Sequence, residues 1–222
     1  MSSLEVRKVT VTFGDTTVLD RTDLSMASGE IVALVGPSGS GKSTLLRVIA
    51  GILQPDSGRV LIAGEDVTTV PTHRRGVGMV FQDNQLFPHM STIDNVMFGP
   101  KMAGVPRAER FERAERWLRR VGLADLAHRS VTDLSGGEAK RVALARTMAA
   151  EPGVVLLDEP LTGLDRELHD RLAADLAQLL RSSEVTALLV THDAAEAGAI
   201  ADRTVALADL VAAPREHPPT PG

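Results

Sequence analysis

Short apolar runs separated by polar segments are the strongest regular pattern along the chain. Residues 4–13 alternate apolar and polar side chains apart from a slip at Lys8, which predicts a half-exposed strand of an antiparallel sheet. Three later runs, at residues 31–35, 154–157 and 185–190, are almost wholly apolar. Such runs are typical of parallel strands that are covered on both faces.

Helical patterns lie between these strands. We predict helices at residues 43–50, 139–150 and 168–180. The first pattern stops at Gly51 and the second at residues 151–153, Glu-Pro-Gly, which are typical ends of helices. Alternation of strands and helices predicts a layered α/β domain.

The middle of the chain differs because no core-strand run occurs from about residue 94 to 133. A helix at residues 107–121 would place four apolar residues on one stripe. These are Phe111, Ala114, Leu118 and Val121. We interpret residues 84–133 as an inserted helical subdomain.

The side of that helix predicted to face solvent carries acidic and basic residues four positions apart. The three pairs are Glu109 with Arg113, Glu112 with Arg116, and Glu115 with Arg119. Six arginines raise the alternative of a phosphate-binding surface, but the interleaved glutamates favour a solvated, salt-bridged face.

Composition and charge exclude several classes of protein. The chain has 222 residues, 43% of them hydrophobic, enough for a buried core. Its formal net charge of -5 disfavours nucleic acid as a partner, and the absence of Cys excludes disulfides and thiolate metal sites. No apolar run is long enough to cross a membrane. We expect one domain over residues 1–213 and a disordered, Pro-rich tail at residues 214–222.

A glycine-rich loop follows the apolar run at residues 31–35 and leads into the first predicted helix. Its sequence, GPSGSGKST, satisfies the pattern GxxxxGK[ST] in the required order of strand, loop and helix. We call this segment the phosphate loop; its residues are Gly36, Pro37, Ser38, Gly39, Ser40, Gly41, Lys42, Ser43 and Thr44. Its backbone N–H groups and the following helix favour an anion. Lys42 would contact the β and γ phosphates, and Ser43 would ligate Mg²⁺.

Two acids end the apolar run at residues 154–157. Carboxylates at the carboxyl end of a buried parallel strand lie at the rim of the sheet, where ligands of open α/β folds bind. Asp158 would hold Mg²⁺, and Glu159 would accept a proton from an attacking water molecule.

A second anion-accepting helix start is predicted at residues 134–138, Leu-Ser-Gly-Gly-Glu. Ser135 and Glu138 match a capping box, while Gly136 and Gly137 leave backbone N–H groups exposed at the positive end of a helix. With this glycine signature, the sequence resembles the ATP-binding cassette (ABC) ATPases over residues 1 to about 208. The resemblance implies a P-loop NTPase core with a mixed sheet, an N-terminal antiparallel β subdomain and an inserted α-helical subdomain.

Other landmarks of the ABC family occur in the same order. Phe13 resembles the aromatic residue that stacks on adenine, and Gln82 resembles the glutamine that senses the metal and the attacking water. Leu164-Asp165 resembles the loop that reaches the partner subunit, and His192 resembles the histidine at the γ-phosphate. The resemblance implies that Glu159, His192, Gln82 and Lys42 are catalytic and that Ser43, Gln82 and Asp158 hold the metal. The histidines show no zinc-ligand spacing such as HExxH.

The resemblance also implies cofactors and partners. In this family two cassettes meet head to tail, so that each ATP with its Mg²⁺ lies between the phosphate loop of one and the glycine signature of the other. Transmembrane permease subunits and a solute-binding protein would complete the complex, and the second cassette would be an identical copy or a paralogue. The chain is then expected to lie peripherally at the cytoplasmic face of the membrane.

Residues 74–89 resemble those of bacterial importer ATPases for ferric iron, thiamine, polyamines, oxyanions or sugars. Two segments depart from the family pattern. Thr162-Gly163 replaces the usual Ser-Ala before Leu164-Asp165, and residues 208–213 replace a glycine-containing hairpin. We also expect no regulatory barrel domain after residue 213.

Two alternative functions remain open at this point. A soluble ABC-type regulatory or repair ATPase would share the motifs, although such relatives usually have tandem cassettes or long coiled coils. A small-molecule kinase would share the phosphate loop but has no use for the glycine signature.

Overall fold

The computed structural model describes residues 2–211, which form two sheets and six α-helices. The strands are β1 (Ser2–Phe13), β2 (Thr16–Ala27), β3 (Ile31–Val35), β4 (Ser57–Ile62), β5 (Glu65–Asp66), β6 (Val77–Val80), β7 (Val154–Asp158), β8 (Thr186–Val190) and β9 (Arg203–Ala206). The helices are α1 (Lys42–Ala50), α2 (Thr92–Met102), α3 (Arg107–Arg120), α4 (Gly136–Ala149), α5 (Arg166–Ser182) and α6 (Ala194–Ile200). The tail predicted at residues 214–222 lies outside the described residues.

Antiparallel and parallel strands occupy separate sheets. The first sheet has the order β2-β1-β4-β5 and is antiparallel, while the second has the order β6-β7-β8-β3-β9 and is parallel. Lys8 has a φ of 50°, and the register of β1 against β2 shifts beside it, where the alternating pattern slips. The predicted α/β fold is confirmed.

The parallel sheet separates two hydrophobic cores. Alternate residues of β7 point to opposite faces, so Val155 and Leu157 pack with α4 and α5, while Val154 and Leu156 pack with α1 and the antiparallel sheet. Every residue of β7 and β8 is buried. Covered strands of this kind explain the uninterrupted apolar runs in the sequence.

The segment between β6 and β7 contains α2, α3 and α4, as the missing strand pattern predicted. On α3, Ala114, Leu118 and Val121 are buried, but Phe111 is 38% exposed. The prediction for Phe111 was wrong: the buried aromatic residue of α3 is Trp117, which is 8% exposed and lies three positions after Ala114.

The charged side of α3 carries two of the three expected ion pairs. Arg113 pairs with Glu109 and also with Glu151, at 2.7 Å, at the end of α4. Arg119 lies 3.8 Å from Glu115. Within residues 2–211 no ion pair joins Glu112 to Arg116. Among the same residues, no helix is both long and apolar enough to cross a bilayer.

The carboxyl end of α1 is closed by a buried arginine, Arg75, which is 3% exposed. Its guanidinium donates to the carbonyl oxygens of Val48 and Ile49 at 2.9 and 3.0 Å, and to those of Val70 and Thr68 at 2.7 and 2.6 Å. The cation therefore satisfies carbonyls that the end of a helix leaves without partners.

We expect Arg75→Ala to lower the free energy of unfolding by about 2–4 kcal/mol, because several buried carbonyls lose a charged donor and a cavity replaces the side chain. Urea denaturation followed by circular dichroism measures this loss. The neighbouring Arg74 is exposed, so Arg74→Ala is the matched control and should change stability by less than about 0.5 kcal/mol. Equal effects of the two substitutions would contradict the role of Arg75.

Candidate nucleotide site

The phosphate loop joins β3 to α1 and leaves the start of α1 open. Gly41 occupies the N-cap with a φ of 106°, and no side chain caps the helix. A Cβ at Gly41 would lie 2.9 Å from Val18 Cγ1, so the position requires glycine. The first N–H groups of α1 are thus available to an anion.

Lys42 is held inside this loop, with 5% of its surface exposed. Its Nζ donates to the carbonyl oxygens of Gly36 and Pro37 at 2.8 and 2.7 Å. Ser40 Oγ is buried and has no hydrogen-bond partner among residues 2–211. Buried hydroxyls normally have a hydrogen-bond partner. The Ser40 hydroxyl therefore fits a loop that binds a ligand, because the ligand would supply the missing partner.

Ser43 and Asp158 form the candidate Mg²⁺ site. Ser43 Oγ donates to Asp158 Oδ1 at 2.9 Å, which joins the first turn of α1 to the carboxyl end of β7. Burial raises the pKa of Asp158, and the nearby Glu159 raises it further, whereas the Ser43 hydrogen bond lowers it. A hydroxyl and a carboxylate are hard oxygen ligands, so the two residues fit Mg²⁺.

Glu159 follows β7 in a left-handed conformation, with a φ of 46°. For a residue other than glycine this conformation costs about 1–3 kcal/mol. Such residues cluster at functional sites, although Lys8 in β1 and several others in this chain adopt it elsewhere. The Glu159 N–H donates to the Val190 carbonyl at 2.9 Å, which ties the turn to the end of β8. The carboxylate is therefore held at the rim of the parallel sheet, beside Asp158.

Both carboxylate oxygens of Glu159 have side-chain neighbours. Oε1 lies 3.4 Å from Nδ1 of His192, and Oε2 accepts from the Thr162 hydroxyl at 3.1 Å. The structure thus brings Glu159 and His192, two of the predicted catalytic residues, together. The Thr162 contact was missed, although its hydroxyl three residues after Glu159 is the sequence signal that would have pointed to it.

A buried acid supports the loop that carries His192. Glu196 Oε2 accepts from the Thr191 hydroxyl at 2.6 Å, and Thr191 Oγ1 in turn accepts from the Asp193 N–H at 3.0 Å. Burial raises the pKa of Glu196, while the Thr191 hydrogen bond and the nearby His169 lower it. Sequence analysis missed this support, because nothing local separates Glu196 from an ordinary surface acid of a helix.

Gln82 follows β6, the strand next to β7, and is exposed. Within residues 2–211 no hydrogen bond joins it to Ser43 or Asp158. The loop beyond it is tied to α4, because Arg146 donates to the carbonyls of Asn84 and Gln85 at 2.8 and 2.6 Å. Gln82 therefore lies at the same edge of the sheet as Asp158, without contact to the predicted metal ligands.

Phe13 ends β1 beside the turn at Gly14 and is 52% exposed. A ring left in water at the end of a strand offers a face for stacking. This placement agrees with the adenine contact that the family resemblance implied.

The glycine signature starts α4 as predicted. Ser135 Oγ accepts from the Glu138 N–H at 3.3 Å, and Glu138 Oε2 accepts from the Ser135 N–H at 2.7 Å, which completes the capping box. The hydrogen bond from the Ser135 N–H lowers the pKa of Glu138. Gly136 is exposed with open space around it, whereas a Cβ at Gly137 would lie 3.2 Å from Leu168.

No hydrogen bond or ion pair within residues 2–211 joins the glycine signature to the phosphate loop. The chain thus has two separate helix starts that favour anions. Glu138, predicted as a ligand contact, is already engaged in the cap.

Comparison with known proteins identifies the family of the chain. A family model described as ABC transporter matches residues 19–162, which include the phosphate loop and the glycine signature. The Fe(3+) ions import ATP-binding protein FbpC of Streptomyces coelicolor is 50% identical over 208 residues, covering 94% of this chain and 60% of that protein. The FbpC protein of Agrobacterium fabrum is 47% identical over 205 residues, covering 92% and 58%. The chain thus spans about three fifths of the length of these relatives.

A solved structure has the same fold. CbiO1 from Clostridium perfringens, described as part of the ABC transporter complex cbiONQ, superimposes with a TM-score of 0.82 at 31% identity. The match covers 92% of this chain and 84% of that one. The motifs, the geometry around Glu159 and these similarities agree, and the chain belongs to the ABC transporter family.

Proposed function

We propose that the chain binds ATP with Mg²⁺, hydrolyses it to ADP and phosphate, and thereby drives import through a membrane ABC transporter. The observation that carries the proposal is the pair of helix starts that favour an anion, at the phosphate loop and at the glycine signature, together with the Glu159 carboxylate held at the rim of the parallel sheet. A kinase needs only the first helix start.

In this proposal the residues of one chain bind ATP and activate water. Phe13 stacks on adenine, the N–H groups of residues 36–44 surround the phosphates, and Lys42 turns from its loop carbonyls to the β and γ phosphates. Ser43 and Asp158 would hold Mg²⁺, with Gln82 close to the same edge, and the ion would neutralise part of the phosphate charge. Glu159 accepts the proton of the attacking water, while His192 contacts the γ-phosphate.

A second cassette completes the site. Its glycine signature, Ser135 to Glu138, would close over the triphosphate from the other side, so ATP stabilises the head-to-tail dimer and hydrolysis releases it. A ligand that contacts both chains only in the closed state shifts the population towards that state. The partner is an identical copy or a paralogue.

We further infer that residues 1–213 act as one cassette at the cytoplasmic face of the membrane. The helical subdomain at residues 84–133 would pass the movement to transmembrane permease subunits through the Gln82 loop, and a solute-binding protein would deliver the solute. The relatives described above are named for Fe(3+) import, which favours ferric iron among the solutes. A soluble regulatory or repair ATPase remains the alternative, and purification of the intact complex from membranes distinguishes the two.

Phosphate release from MgATP, measured with no added acceptor, tests the reaction. We expect steady release that needs Mg²⁺. A kinase would transfer the γ-phosphoryl group to an acceptor substrate and release ADP rather than inorganic phosphate. Absence of phosphate release from the purified chain and from its complex would therefore reject the ATPase.

The Thr162 contact predicts a positioning effect on hydrolysis. Thr162→Val removes the hydroxyl at nearly constant volume, and we expect kcat to fall about three- to tenfold with little change in KM, since a single hydrogen bond contributes about 0.5–1.5 kcal/mol. Thr162→Ser restores the hydroxyl and should recover most of kcat. An equal decrease of kcat in Thr162→Val and Thr162→Ser would show that packing of the side chain, rather than its hydrogen bond, determines the rate.

A further inference from the structure

A cavity of about 440 Å³ lies between α3, α4 and α5, and Pro160 and Leu161, which follow Glu159 in the chain, form part of its wall. Its wall is apolar where Leu144, Leu157 and Leu172 line it. The phosphate loop, Glu159 and His192 are not among its lining residues. The volume falls within the range of pockets that bind small molecules, about 300–1,000 Å³.

The charged side chains around this cavity are almost all cations. Five basic residues line it, namely Arg119, Arg120, Lys140, Arg141 and Arg171. A single carboxylate, Asp175, accompanies them. This excess of positive charge contrasts with the net charge of -5 of the whole chain.

These cations have few anionic partners of their own. Arg119 lies 3.8 Å from Glu115, and the Arg120 guanidinium lies 4.8 Å from the centre of the Trp117 ring. Within residues 2–211 no ion pair joins Arg120, Lys140, Arg141 or Arg171 to an acid. Glu196 and Glu138 attract Lys140 and Arg141 without an ion pair, while Arg120 and Arg171 are exposed. The side-chain donors of these four residues are therefore free of a direct acidic partner among residues 2–211.

Two of the cations are also withdrawn from water. Arg141 Nε is buried and has no hydrogen-bond partner among the described residues. Burial lowers the pKa of Lys140, and the attraction of Glu196 offsets this only in part. A buried donor without a partner destabilises the structure, and an anion in the cavity would supply the missing acceptor.

We propose that this cavity binds a small amphipathic anion, with its apolar body against the leucine wall and its phosphate or carboxylate group among the basic residues. Arginine donates in a planar fork that matches these groups. The ligand would contact the end of α3, the helix that begins with the glycine signature, and α5 together. The site is independent of ATP hydrolysis, so its test does not depend on the function proposed above.

Calorimetric titration of the full chain, with MgADP present to occupy the nucleotide site, tests the proposal. The probes are octyl phosphate, octanoate, octanol and inorganic phosphate. We expect one site for an octyl anion, with octanol and inorganic phosphate each bound at least about tenfold more weakly because both the charge and the apolar body contribute. The better of the two octyl anions identifies the preferred head group.

Substitutions locate the binding. Arg171→Glu and Lys140→Gln should each weaken the octyl anion about tenfold or more, because each removes a charged hydrogen bond. Arg116 is exposed on α3 and does not line the cavity, so Arg116→Glu should change affinity by less than about twofold. Thermal unfolding confirms that each variant is folded.

Three results would overturn the proposal. Octanol bound as tightly as the anions would mean an apolar pocket only. An equal loss of affinity for the octyl anion in Arg116→Glu and Arg171→Glu would mean that the anion is attracted non-specifically to surface charge. Absence of binding by either octyl anion would mean that the cavity is not a ligand site.

Discussion

Replacement of Glu159 by glutamine should lower the rate of ATP hydrolysis by about 10²–10⁴-fold, the usual contribution of a general base, while ATP still binds. Glutamine has nearly the same shape as glutamate, so the hydrogen bond from Thr162 and the neighbourhood of His192 can persist. The amide cannot accept the proton of water at neutral pH. Phosphate release and equilibrium binding of a fluorescent ATP analogue, measured on one preparation, separate the two effects.

The same variant should also form a more persistent dimer with MgATP, since the dimer is released only by hydrolysis. Size-exclusion chromatography with light scattering measures this change. Glu112→Gln is the matched control, because Glu112 is exposed on α3 and far in sequence from the site. Hydrolysis by Glu159→Gln at the wild-type rate would exclude Glu159 as the base.

Replacement of Lys42 by alanine should weaken ATP binding about 10²-fold and abolish measurable hydrolysis. The Lys42 ammonium is buried and is bonded to two loop carbonyls at 2.8 and 2.7 Å. Charged hydrogen bonds to phosphate contribute about 1.5–3 kcal/mol, and loss of this cation also leaves the loop carbonyls without their donor. Binding of the ATP analogue and phosphate release measure the two losses.

Lys101 provides the matched control for this substitution, because it is exposed in the last turn of α2. Lys101→Ala should bind and hydrolyse ATP as the wild type does. Wild-type affinity in Lys42→Ala would mean that the phosphates are not bound at this loop.

Local sequence patterns predicted the features that depend on local chemistry. The strand at residues 31–35 and the helix start at Ser135 each lie in a continuous segment, and the structure has both, although α4 begins at Gly136 and not at the predicted residue 139. The register shift of β1 near Lys8 was likewise visible as a slip in the alternation of apolar residues.

Contacts between distant segments could not be predicted in this way. Arg75 closes the end of α1 across 26 and 27 residues, and Arg146 reaches the Gln82 loop across 61 and 62. Local patterns in a single sequence do not show which distant segments pack against each other. The prediction for Phe111 was wrong for the same reason: the helical pattern does not show which neighbours α3 packs against, and it is Trp117 that is buried.

The central claim is that ATP lies between the phosphate loop of one chain and the glycine signature of another. The chain has no cysteine, so one chain with Ser38→Cys can be mixed with a second with Gly136→Cys, both carrying Glu159→Gln, and treated with a short thiol cross-linker. Both positions are exposed. Ser57→Cys, exposed on the first strand after α1, replaces Ser38→Cys as the control.

We predict a covalent heterodimer in the mixture with MgATP, little with ADP, and little with the Ser57→Cys control. Cross-linking of Ser38→Cys to Gly136→Cys within a single chain that carries both, or a yield that does not depend on ATP, would contradict the account.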